Sequence, residues 1–497
     1  MLTQDFRPGG TGGEGSHALA TLMPGFEGTA LPAWVERRLR DGMAGVCLFA
    51  TNVESPEQLR ALTSAIRAAN PRAVISVDEE GGDVSRLHQR TGSPFPGNAV
   101  LGRLDDEALT HRVGEQVGRE LLAAGVTLNL APDVDINSNV RNPVIGVRSF
   151  GAEASLVSRH GAAWTRGLQE AGVAACAKHF PGHGDTSKDS HVSLPSVDAT
   201  LDTLRARELA PFAAAIDAGV QTIMTSHILV PALDPDSPAT FSRHILTGVL
   251  RGEMGFDGVI VTDALDMVGA SGEIGIPAAA VRALGAGCDL LCLGTANTDD
   301  QIEDIVRTID VAVAAGDLTA ERVEDASNRI SALAVSLTAQ AADARAATGG
   351  PAGSSDGPVL DRATVGRAFH VSESAAARIE SRRAERTPVH WIRLESAANI
   401  AVGDSPWGVF AAGVTADVMV GPDGGIALDA VPHGALVVVV GKNNHRHPWA
   451  QQVIDALRPL DPVVVDMGWP DLDEPYADVA TFGASRLVGE ALAEVFA

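Results

Sequence analysis

Residues 178–195 read KHFPGHGDTSKDSHVSLP and hold three histidines, two lysines and two aspartates. The whole chain has three lysines (Lys178, Lys188, Lys442), and two of them are in this stretch. Imidazole and carboxylate groups this close together can exchange protons at neutral pH. An apolar run, 173–177, precedes them, and Pro181, Gly182 and Gly184 forbid a regular helix. The polar groups are therefore expected on a shaped loop after a strand, where catalytic groups concentrate. Two residue types recur at other apolar-run ends. Carboxylates follow one run as Asp78-Glu79-Glu80-Gly81-Gly82, another as Asp133 and Asp135, and a third as Asp263-Ala264-Leu265-Asp266. Asn137, Arg141, Arg148 and Thr225-Ser226-His227 stand in similar places. Any single Asp could be a helix cap; the set together describes one convergent polar mouth.

That inventory suits sugar chemistry, in which one group attacks the anomeric carbon and another protonates the leaving oxygen. It fits other chemistries less well. His179, His183, His191 and His227 could gather zinc, but no H-E-x-x-H or paired C-x-x-C accompanies them, so no metal is expected. No G-x-S-x-G elbow follows any of the expected strands, which argues against a serine hydrolase.

The elements that must position these groups alternate. Strands are expected at 46–50, 74–77, 127–130, 173–177, 221–226, 259–262 and 289–293. Helices are expected at 55–69, 105–124, 153–171, 201–218, 242–254, 277–286, 299–315 and 319–337. Ser55-Pro56-Glu57 is a helix start with a capping hydroxyl and an early proline. Such alternation implies parallel βα units and predicts an α/β protein with a (β/α)8 TIM-type barrel over residues 1–340. An open doubly wound sheet is the alternative, but no G-x-G-x-x-G turn follows the first strand. Residues 341–358, AADARAATGGPAGSSDGP, have a linker composition. Residues 359–497 are expected to form a smaller α/β unit, with strands at 436–440 and 463–465 and helices at 449–457 and 485–496. Its basic loop GKNNHRHPW (441–449) is either a solvated turn or a reach toward the mouth.

Composition sets limits on partners. The 497 residues carry a net charge of -25, which argues against nucleic acid. No apolar run of membrane-spanning length and no secretory signal pattern is present. The four cysteines (Cys47, Cys176, Cys288, Cys292) lie in apolar strand-like runs and read as buried small hydrophobes. A cytoplasmic protein without membrane partner is expected.

The ordered motifs are similar to those of β-N-acetylglucosaminidases of glycoside hydrolase family 3. They are DEEGGDVSR (78–86), APDVDIN (131–137), NPVIGVRSFG (142–151), KHFPGHGDTSKDSH (178–191), IMTSHI (223–228), PATFS (238–242) and GFDGVIVTDALDM (255–267). The resemblance implies Asp263 as nucleophile, His191 as general acid/base and Asp189 as its dyad partner. It implies Asp78, Arg148, Lys178 and His179 as the grip on the N-acetyl sugar, with Arg86 near the same mouth as a sugar or ion-pair residue. Many relatives carry Asp-Asp-Leu-Ser-Met where this chain has Asp263-Ala264-Leu265-Asp266-Met267. The expected activity is a retaining, exo-acting β-N-acetylglucosaminidase without cofactor, acting on small cell-wall or chitin glycans. A histidine is neutral after giving its proton, so it repels incoming inorganic phosphate less than a glutamate would. A phosphorylase releasing GlcNAc-1-phosphate is therefore the alternative on the same residues. A sugar-binding protein with a dead barrel is the remaining one.

Overall fold

In this computed structural model the described residues are 15–186, 194–272, 274–347, 360–395, 401–428 and 431–497. Eight short strands build the N-terminal part: β1 Leu22–Met23, β2 Gly45–Leu48, β3 Val74–Val77, β4 Leu128–Asn129, β5 Ala174–Phe180, β6 Thr222–Thr225, β7 Val259–Val261 and β8 Leu291–Cys292. Strands β2 to β7 pair in parallel in chain order, and β1 pairs with β8. Two seams close the ring. A parallel bridge joins Val261 to Leu290, and Cys47 N–H donates to Pro24 C=O. The expected TIM-type barrel is therefore present, and β1 is the strand the sequence did not reveal.

Period-2 alternation sorts the strand side chains between two cores. In β3, Val74 points into the barrel with Leu128, Ala174, Cys176, Met224, Val259 and Cys292. Ile75 and Val77 instead face the surrounding helices. Ile330, Leu333 and Leu337 join the barrel core from the helix Ala320–Ala347. That helix continues past residue 340, into the stretch whose composition suggested a linker. All four cysteines are free and buried. Helix Pro56–Ala69 starts as expected, with Ser55 Oγ accepting from Gln58 N–H at 3.2 Å.

A second sheet follows: β9 His370–Val371, β10 Val389–Leu394, β11 Val418–Val420, β12 Leu436–Gly441, β13 Val463–Asp466 and β14 Val479–Ala480. Its spatial order is β11-β10-β12-β13-β14-β9, parallel except for β9. The chain leaves β10 toward β11 and returns to β12 on the other side, so a topological switch point lies between β10 and β12. The C-terminal ends of β12 and β13 abut the barrel loop 142–148: Arg446 donates to Asn142 C=O at 2.7 Å. Among the described residues, no helix is long and apolar enough to cross a membrane.

Candidate active site

Strand β5 runs further than its apolar core predicts, through Lys178 and His179 to Phe180. The reason is a continued ladder: Lys178 N–H donates to Pro132 C=O, and Val134 N–H to Lys178 C=O. Pairing with β6 shifts register between Ala177 and Phe180. Such irregularities re-aim side chains beside active sites. Here the adjacent Lys178 and His179 both line one pocket.

This pocket, about 350 Å3, opens at the C-terminal ends of the barrel strands. Cys47, Leu130, Met224 and Cys292 contribute apolar lining. Asp78, Glu80, Arg148, Lys178, His179 and Asp263 contribute the charged and polar lining. Asp263 follows β7 after Thr262, half-buried, with Oδ1 accepting from Ala264 N–H at 2.8 Å. His227 Nε2 lies 3.1 Å from Ala264 C=O and its Nδ1 2.9 Å from Thr240 Oγ1, so the end of β6 braces the turn after Asp263. Asp266 is exposed and accepts from Thr295 N–H at 3.2 Å. A Cβ on Gly294 would lie 1.9 Å from its carboxylate, so Asp266 is seated against a backbone position open only to glycine.

A chain of ion pairs forms one side of the pocket. Lys178 Nζ sits 2.6 Å from Asp78 Oδ1 and 2.8 Å from Glu80 Oε1. Arg148 donates to both Glu80 oxygens, at 2.7 and 2.9 Å. Its other neighbours are Asp133 Oδ2 at 3.6 Å and His179 Nε2 at 3.4 Å. His179 Nδ1 lies 2.7 Å from Asp135 Oδ2, and Asp135 Oδ1 accepts from His183 N–H at 2.6 Å.

Electrostatics distinguishes these carboxylates. Burial pushes Glu80 up, but Arg148 and Lys178 outweigh it and hold the acid far below its ordinary range. Burial lowers Lys178 less than Asp78 and Glu80 raise it, so the ammonium stays charged. Burial and then Asp135 push Asp133 well up. Asp135 is pushed up by burial too, but its bond with His179 prevails and lowers it. Burial depresses His183 to about 4, so that imidazole is neutral near pH 7.

The base of the histidine-rich loop is pinned on several sides. Asn142 Nδ2 donates to His183 C=O at 2.9 Å, and Arg207 reaches Asp185 at 2.6 Å. A Cβ on Gly184 would lie 1.7 Å from Ile136 C=O, so the loop can pass there only as glycine. Asp189 and His191 lie outside the described residues.

Among the residues expected at the site, Asp78, Arg148, Lys178, His179 and Asp263 share this pocket. Arg86 lines it as well, but its guanidinium donates to Ala401 C=O at 2.7 Å and Val402 C=O at 3.3 Å. It thereby ties the chain before the second sheet's later strands to the mouth. Glu80 and Asp135 were expected only as members of the polar mouth, and His183 only as one of the histidines of its loop, none of them in the sugar grip. Glu80 sat in the Asp78-Glu79-Glu80 run, where sequence alone cannot say which acid turns inward. Glu79 turns away, and its Oε2 accepts from the Arg86 and Leu87 N–H groups.

Asp133, Asp135 and His179 place potential metal-ligand atoms within 4.8 Å of one another. Asp135 is already engaged by His179 and by the His183 N–H, while Asp133 Oδ2 has no hydrogen bond and faces Arg148 Nε at 3.6 Å. Arg148 and Lys178 already place two cations beside this cluster, so an organic polar ligand fits it better than a metal ion.

Residues 33–333 match the model of the glycosyl hydrolase family 3 N terminal domain. The chain belongs to glycosyl hydrolase family 3. It is 36% identical over 335 residues to beta-hexosaminidase A of Pseudoalteromonas piscicida, covering 62% of this chain and 56% of that protein. It is 41% identical over 285 residues to a beta-hexosaminidase of Alkalilimnicola ehrlichii, covering 55% and 80%. A family 3 beta-N-acetylglucosaminidase from Paenibacillus sp. str. FPU-7 superposes with a TM-score of 0.81 at 31% identity, over 97% of this chain and 96% of that one. The chain thus spans little more than half of the first relative, while the Paenibacillus structure matches both of its sheets.

Proposed function

We propose that the protein is a retaining, exo-acting β-N-acetylglucosaminidase. The observation that carries this is Asp263, placed at the end of β7 in the same pocket as the Asp78–Lys178–Glu80–Arg148–His179 network. The names of the similar proteins support the sugar. A pocket of about 350 Å3 suits one terminal residue rather than a long chain. In this reading Asp263 attacks the anomeric carbon, and the C1–O bond to the aglycone breaks as His191 gives that oxygen its proton. A covalent glycosyl–Asp263 ester results. His191, oriented by Asp189, then takes a proton from water as that water displaces Asp263. Lys178, Arg148 and His179 are fixed by their partners before substrate arrives, so little ordering is left for binding.

The test is kcat/KM on aryl β-GlcNAc and aryl β-glucoside, each with and without phosphate. A site built around fixed donors rejects an analogue that leaves them unpaired. We expect at least about a hundredfold preference for GlcNAc, roughly 2.7 kcal/mol in transition-state binding. Comparable values would move the chain to a broad β-glucosidase reading. GlcNAc-1-phosphate as product in phosphate buffer would replace the hydrolase by a phosphorylase.

A further inference from the structure

The sugar pocket has two unlike walls. Its basic lining comes from one side of the barrel: Arg86 and Arg148 follow β3 and β4, and Lys178 and His179 lie near the end of β5. The far wall, formed by β8, β1 and β2, contributes Cys47, Phe49, Cys292 and Thr295 to the lining and no basic residue.

Cys47 on β2 and Cys292 on β8 both point into the barrel core, and both are free. β1 lies between their strands: Met23 is the register partner of Cys292, and Cys47 N–H donates to Pro24 C=O. The two cysteine Cα atoms are thus two strand spacings apart, roughly 9 Å, which is beyond the reach of a disulfide. Their inward side chains nevertheless meet, with the two thiols in hydrogen-bond contact. A bridging atom between the sulfurs suits this spacing better than a direct S–S bond. Met23 adds a thioether to the same core.

The surroundings of Cys292 favour a cation. Its sulfur accepts from the Gly294 N–H, a bond that supports the thiolate as outer hydrogen bonds support metal ligands. The Asp263 carboxylate acts on the same sulfur. Contact with Cys47, then burial, then Asp263 push the Cys292 thiol well above its ordinary value. The thiol therefore keeps its proton at neutral pH, and displacing it takes a cation with a strong preference for sulfur. Cys292 is also tied to the turn that carries Asp263: its N–H donates to Thr262 Oγ1 at 2.9 Å, and its C=O accepts from Leu265 N–H.

We propose that Cys47 and Cys292 form a two-coordinate site for a soft d10 cation of the copper(I) class, and that its occupation closes the floor of the sugar pocket beside Asp263. One cation bridges the two sulfurs, each ligating thiol gives its proton to solvent, and no oxidation state changes. The site rests on the thiol geometry; the loss of turnover rests on the proposed function.

The experiment uses the full chain, as wild type, Cys47→Ala, Cys292→Ala and Cys288→Ala. Cys288 is buried and does not line the pocket, so it is the control. Silver ion, a redox-inert probe of this class, is added in chloride-free buffer, unbound metal is removed by gel filtration, and retained silver is measured by mass spectrometry. Outer partners of a metal site are already worth about 10–100-fold in affinity, so losing a ligand should cost at least that. The proposal expects one silver ion per chain in wild type and Cys288→Ala, and silver binding weaker by at least about tenfold in Cys47→Ala and Cys292→Ala. Should an alanine variant not fold, the serine variant at that position keeps the volume and removes the soft ligand. Each protein's turnover of aryl β-GlcNAc with silver is compared with its own turnover without it; wild type and Cys288→Ala are expected to lose activity at silver levels that the other two withstand. No retained silver in wild type, equal retention in all four proteins, or one bound silver per wild-type chain without loss of turnover overturns the proposal. If untreated wild type does not turn over aryl β-GlcNAc at all, the glycosidase reading fails while silver retention still decides the thiol site.

Discussion

In the proposed reading, Glu80 is the residue on which the sugar grip depends. It binds Arg148 through two hydrogen bonds and Lys178 through one ion pair, with all three side chains buried. Removing one partner of a buried charge cluster leaves the others uncompensated, at a cost of about 3–5 kcal/mol. Glu80→Gln is therefore expected to lower the unfolding free energy from denaturant titration by that order and to reduce kcat/KM, because Arg148 and Lys178 lose their fixed positions. His183 supplies the pH dependence. Its folded pKa, about 4, lies below the ordinary 6.5, so the unfolded chain binds more protons between those values. Its contribution is present above pH 6.5 and is lost as pH falls toward 4. Between pH 7 and pH 5 this amounts to about 2 kcal/mol. Urea midpoints of wild type and His183→Gln at the two pH values measure it: the variant is expected to lose less stability on acidification.

At the scale of elements, strand ends place the chemistry, and the sequence showed most of them. Seven barrel strands were legible as apolar runs, and of the polar residues after them Asp78, Glu80, Arg148, Lys178, His179 and Asp263 line one pocket, whereas Arg141 is exposed and pairs with Glu474. β1 was not legible, because Leu22–Met23 is two residues long and a two-residue strand has no period. The end of β5 was misjudged, because Lys178 and His179 are polar and look like loop, whereas backbone pairing with 132–134 keeps them in the ladder. β10 carries the sequence VHWIRL with alternating burial, a pattern the charged and polar letters obscure. Arg86 shows what sequence could not supply at all: its partners are carbonyls more than three hundred positions away. We propose it as a positioning residue that holds 401–402 against the mouth. Arg86→Ala removes hydrogen bonds from a charged donor, each worth about 1.5–3 kcal/mol. We expect KM to rise about tenfold with a smaller change in kcat, and faster proteolysis near 401–404. Equal falls in kcat and KM-independent loss of fold would assign Arg86 to the core instead.

For the whole molecule, the barrel holds the pocket proposed as the active site, and the second sheet closes against it through Arg86, Arg446 and the loop 442–447. The division into a catalytic barrel, a linker and a smaller α/β unit remains our proposal; the two sheets are its structural basis. The central claim is a covalent glycosyl–enzyme intermediate on Asp263, and trapping tests it most directly. The intact protein is incubated with a 5-fluoro-GlcNAc donor, digested and mapped by mass spectrometry. The account expects one sugar per chain, attached to the peptide containing Asp263, and no adduct in Asp263→Ala. A label on Asp266 or on any glutamate, or turnover without a trapped ester, would contradict it.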